Sequence, residues 1–122
     1  MENQGILQLH RPIKVNGVER TEILYDFDAL TTRDVMALGK GRAAMGLGNA
    51  TSQELDTYAQ LALFMRAAIR ADSSLDEADL ERMSGRDAIR AQRLGRDFFL
   101  ADMLEEVSED EDPDTSDESL EI

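Results

Sequence analysis

Apolar residues in the first 27 positions alternate in part with polar ones, as Ile6, Leu7, Leu9, Ile13 and Val15, then Ile23, Tyr25 and Phe27. Period-two spacing of this kind puts alternate side chains on one face of a strand. Between the two runs stands Asn16-Gly17, a pair that accepts positive φ at both positions and so favours a two-residue hairpin turn. The pattern predicts a β-hairpin over residues 6–27, with Pro12 at an edge or a bulge because it has no N–H for the ladder. An isolated two-stranded ribbon is marginal in water, so this one is expected to lie on helices or to pair with something else.

From Leu30 the apolar period changes. Thr31 with Asp34 has the spacing of a helix-capping pair and predicts a helix over about 32–44. Gly39-Lys40-Gly41 weakens that helix, and Gly46-Leu47-Gly48-Asn49 ends it. Thr51 with Glu54 opens a second over 53–71. Here Leu55, Tyr58, Leu61, Ala62, Met65 and Ile69 share a face that Leu63 and Phe64 widen, which marks a central helix touched on several sides. Ser74 with Glu77 predicts a short helix over 75–83, and Ser84 with Asp87 a last one over 86–106. On that helix Ala88, Ala91, Leu94, Phe98, Phe99 and Ala101 share one side, and Arg86, Arg90, Arg93 and Arg96 gather opposite. The expected fold is α+β: one domain over residues 1–106, an N-terminal β-hairpin followed by about four α-helices.

Charge sharpens the boundary. Ten of the 26 Asp and Glu fall in residues 105–122, which contain no Lys or Arg, leaving 16 acids against 13 bases in residues 1–104. The net charge of −13 therefore belongs mostly to the end of the chain. Residues 107–122 are acidic and nearly without apolar side chains, and they are expected to form a disordered tail. Direct nucleic-acid binding needs a basic footprint, and none is expected here. There is no Cys, which excludes disulfides and thiolate metal sites. Met1–His10 lacks a basic segment followed by an apolar one, and the apolar run Tyr58–Ile69 is too short to span a bilayer. The expectation is a soluble cytoplasmic protein without a membrane partner.

Several short motifs suggest chemistry and are explained better without it. Asp76-Glu77-Ala78-Asp79 spells a helicase box, but acids in a first helical turn suit the helix dipole in any case. Gly39-Lys40-Gly41 lacks the Ser or Thr of a phosphate loop and reads as a connection between helices. Asp110, Asp112, Asp114, Ser116, Glu118 and Glu121 match the ligand spacing of a calcium loop, yet Thr115 replaces its turn glycine and Pro113 lies inside it. His10 is the single histidine, which rules out a His pair or a His-based metal cluster. No catalytic residue, metal or cofactor is expected, and the chain reads as a protein that works by binding others. Candidate contact residues lie on the last helix: Phe98, Phe99 and Met103 on one side, Arg86, Arg90 and Arg93 on the other. The competing readings are core packing for the first set and, for the arginines, a solvated face or a dock for the chain's own acidic tail.

Leu7-Gln8-Leu9-His10-Arg11-Pro12-Ile13-Lys14-Val15-Asn16-Gly17 resembles the opening of bacteriophage tail assembly chaperones of the Mu and P2 type. In that family a Leu-x-Leu-x-x-Pro-Ile-x-x-x-Gly hairpin starts the chain. Leu30-Thr31-Thr32-Arg33-Asp34-Val35 is similar to the family's first helix start. Leu80-Glu81-Arg82-Met83-Ser84-Gly85-Arg86-Asp87-Ala88 is similar to its late Leu-x-x-Leu-x-x-x-Asp segment. The likeness covers about residues 6–104, and Leu24–Ala29 stands where the family carries a basic-apolar stretch. It implies a non-enzymatic protein of the host cytoplasm that binds the tape measure protein, helps recruit major tail tube subunits and is absent from the finished virion. An exposed hairpin edge would offer a strand-addition site to such a subunit. An acidic inhibitor that mimics nucleic acid, or a minor structural protein of the virion, are the rival expectations.

Overall fold

A computed structural model describes residues 3–47 and 56–110. The fold is α+β. An antiparallel hairpin, β1 (Gln4–Val15) and β2 (Val18–Asp26), is followed by a 3-10 turn (Phe27–Ala29). Four helices follow among the described residues: α1 (Thr32–Ala44), α2 (Thr57–Ala71), α3 (Glu77–Leu80) and α4 (Gly85–Asp110).

The hairpin turn is the one that Asn16-Gly17 predicts. Both residues sit in the left-handed region, at φ 53° and 80°, and the backbone twist of such a turn matches that of the strands. Pairing runs from Val15↔Val18 to Ile13↔Arg20, then jumps to Gln8↔Glu22. Leu9, His10, Arg11 and Pro12 thus stand against Thr21 alone, and Pro12 lies inside a bulge.

The inner face of the hairpin carries Leu7, Ile13, Val15 and Ile23, all buried against the helices with Phe27 just after. Rings close the centre: Phe27 stacks on Phe98 at 4.8 Å between centroids, and Tyr25 lies 5.5 Å from both Phe27 and Phe64. On its other flank α2 meets α4 at very close range. A Cβ on Gly95 would lie 2.0 Å from the carbonyl oxygen of Gln60, and Gln92 donates to the Gln60 side chain at 2.6 Å. Glycine at 95 is what lets these two backbones touch.

Three helix boundaries differ from expectation. α2 begins at Thr57, where Asp56 accepts the Ala59 N–H as its N-cap. Thr51, Glu54 and Leu55, to which the sequence assigned the start of this helix, lie outside the described residues. α3 is a single turn, because Ser74 bonds Asp72 at 2.6 Å and the cap is instead a reciprocal Asp76–Asp79 pair. α4 continues past 106 to Asp110, carried by helix-compatible Glu residues. Residues 107–110 of the expected disordered tail are thus helical, and the remainder, 111–122, lies outside the described residues. No helix among the described residues is long and apolar enough to cross a membrane.

Candidate partner-binding groove

The face of α2 that the sequence singled out is not the one that is sealed. The fully buried positions are Ala59, Gln60, Leu63, Phe64, Ala67 and Ala68, which face the hairpin and α4. Tyr58, Leu61, Ala62, Met65 and Ile69 are only half-buried. The apolar surface of α2 exceeds what the hairpin and α4 cover, and α1 covers the remainder incompletely.

α1 is a thin wall. Only Asp34 and Leu38 on it are fully buried, whereas Val35, Met36, Met45 and Leu47 along and just beyond it are exposed. A polar anchor holds it against α2. Asp34 accepts the Thr31 N–H at 2.8 Å, as a capping residue should, but its carboxylate also takes Arg70 Nε at 2.9 Å and Arg66 Nη2 at 2.8 Å. Burial pushes the Asp34 carboxyl upward. Hydrogen bonds from Arg70, the Thr31 N–H and Arg66 outweigh that and hold it well below the usual carboxylate range.

Between α1, α2 and α3 lies an open groove of about 250 Å³. α1 supplies Ala37, Leu38 and Gly41, with its C-cap Met45, and α2 supplies Tyr58, Leu61, Ala62 and Met65. Glu77 of α3 and its C-cap Glu81 form one rim, with Arg66 beside them. Tyr58 leans its hydroxyl into the space left by Gly41, where a Cβ would lie 2.1 Å from that oxygen. Arg42 lies 5.9 Å over the Tyr58 ring and pairs with Asp56. Burial, and after it the negative field of Glu77, push the Tyr58 phenol above its usual value.

The residues proposed from sequence are divided by the structure. Phe98 and Phe99 are half-buried and pack on the core, Phe98 as the ring partner of Phe27. The Met103 side chain lies outside the described residues. Arg86 and Arg93 are exposed, whereas Arg90 reaches back across the bulge and donates to the Gln8 carbonyl at 2.6 Å. Arg86 Nη1 comes within 3.5 Å of His10 Nε2.

That bulge has its own anchor. Ser84 caps α4 by accepting the Asp87 N–H at 3.2 Å, and the fully buried Asp87 carboxylate accepts the N–H groups of His10 and Arg11 at 2.9–3.1 Å. The Ser84 hydroxyl and Arg90 complete the set at 3.0 and 3.2 Å. Burial raises the Asp87 carboxyl, and the two backbone N–H groups, Ser84 and Arg90 together bring it below its ordinary value. Asp34, in the capping box of α1, and Asp87, in the first turn of α4, therefore tie their helices to distant elements. The Asp76–Asp79 segment serves as the cap of α3.

What sequence reasoning missed is α1's share of the groove. The available signal was the width of the α2 stripe, which left one apolar side without an owner. No His, Cys, Asp and Glu group suited to a metal ion occurs among the described residues. No protein-family model, curated protein or solved structure matches the chain.

Proposed function

We propose that this protein is a bacteriophage tail assembly chaperone. It acts by binding rather than catalysis, holds the tape measure protein in the host cytoplasm, helps recruit tail tube subunits and is left out of the finished virion. The observation that carries this reading is the α1–α2–α3 groove, whose half-covered apolar stripe is suited to a partner's apolar side chains. At about 250 Å³ the groove is smaller than the ~300–1,000 Å³ of ordinary small-molecule sites, and it is open, which favours side chains of another protein over a metabolite. Met45 and Met65 stand on its two walls, and methionine adapts to varied apolar shapes. The resemblance of residues 6–104 supplies the identity of the client.

Co-expression with the tape measure protein of the same genome, followed by size-exclusion chromatography, tests the proposal. The expected result is tape measure protein that is soluble and co-elutes with this chain, and insoluble without it. Ala62→Arg, which fills the groove with a long charged side chain, is expected to abolish co-elution. A tape measure protein that stays insoluble while this chain elutes alone would overturn the reading.

A further inference from the structure

We infer that the groove takes an α-helical segment carrying Lys or Arg beside its apolar anchors, with the cations set against Glu77 and Glu81. The inference rests on the groove's being the partner surface proposed above.

Three observations lead to it. The first is size. A cavity of ~150 Å³ holds one benzene, so about 250 Å³ accommodates about two aliphatic side chains, as neighbouring turns of one helix would present them. The second is the walls. Among the described residues the groove is lined by helices and the residues that cap them, with no strand edge. An extended segment would find no ladder for its N–H and C=O groups there, whereas a helix satisfies its own backbone.

The third is charge. Both arginines at the groove are committed, Arg66 to Asp34 at 2.8 Å and Arg42 to Asp56. The acids are not. Glu77 is 57% exposed and meets Arg66 only at 3.4 Å, and Glu81 has no ion pair or side-chain hydrogen bond among the described residues. Two under-used carboxylates beside an apolar floor favour a cationic flank and repel an acidic one. The chain's own acidic end is thereby disfavoured as the occupant.

A pair of labelled synthetic amphipathic helices tests this, with the same apolar stripe and either Lys or Glu flanks. Each is titrated with the full-length protein at physiological salt and followed by fluorescence anisotropy. The Lys-flanked helix is expected to bind about tenfold more tightly than the Glu-flanked one, and the double variant Glu77→Lys/Glu81→Lys to reverse the order. Ala62→Arg leaves the acidic end of the chain intact, so binding that survives in it measures attraction outside the groove. Met65→Gln serves in its place should Ala62→Arg fail to fold. An unchanged preference in the double variant, or full binding in both groove variants, would overturn the inference. A reversed preference with a tape measure protein that remains insoluble would leave the cationic-helix inference standing and remove the chaperone. Co-elution with no helix preference would remove this inference alone.

Discussion

On one side of α2, Ala59, Leu63, Phe64, Ala67 and Ala68 are sealed between the hairpin and α4. On the other, Tyr58, Leu61, Ala62 and Met65 remain half-buried along the groove. Hydrophobicity does not separate the two sides, since both are apolar. The closeness of the neighbouring elements does. The alanines on the sealed side, together with Gly95 on α4, let neighbouring elements come close enough to exclude water. Across the open side, α1 brings little of its own to bury and is pinned by the Asp34 carboxylate instead.

The comparison can be broken most severely from the sealed side. Phe64→Ala removes a ring in contact distance of Tyr25 and Phe27, and is expected to lower stability by about 3–5 kcal/mol in chemical denaturation. Asp34→Ala should follow at about 2–3 kcal/mol. Stranding buried charges costs ~3–5 kcal/mol, but Arg66 and Arg70 are 23% and 36% exposed and recover part of that from water.

The same anchor gives a pH signature. Because the folded Asp34 carboxyl sits below its unfolded value of about 3.9, its contribution is complete above that pH and is lost as pH falls through the depressed folded value. The stability difference between the natural protein and Asp34→Asn should therefore shrink on acidification below about pH 4. A difference that grows in acid would contradict the anchor.

Gly95→Ala must push α4 off the Gln60 carbonyl and is expected to cost about 1–3 kcal/mol, read as a lowered Tm. The smallest effect belongs to the groove. Met65→Gln should change stability by under about 1 kcal/mol while sharply weakening partner co-elution, because its side chain already meets water. Comparable losses of stability from Met65→Gln and Phe64→Ala would erase the distinction between the two sides.

Much of the frame was legible from local signals. Asn16-Gly17 set the turn, Pro12 marked the bulge, and the pairs Thr31–Asp34 and Ser84–Asp87 placed the starts of α1 and α4. Those signals act within four residues. What they could not reveal is that each of these aspartates would have a second set of partners, Arg66 and Arg70 for one and His10 and Arg11 for the other, more than 30 residues away. The facing of α2 was illegible for a related reason. Its apolar stripe is too wide to have one direction, and the choice was made by Gly95 and the hairpin, whose packing is non-local. For Phe98 the sequence favours core packing over partner contact but names no partner ring, and that ring, Phe27, stands some 70 positions away in the chain.

The bulge in β1 bears on how these molecules behave in a crowd. A two-stranded sheet has two open margins, and unpaired margins are where chains join into unwanted assemblies. Along β1 the Gln8 and Lys14 carbonyls are taken by Arg90 and Arg82, and the N–H groups of His10 and Arg11 by Asp87. A strand arriving there would find its hydrogen-bonding partners already occupied by α4 and the turn before it. β1 is thus closed to strand addition over this stretch.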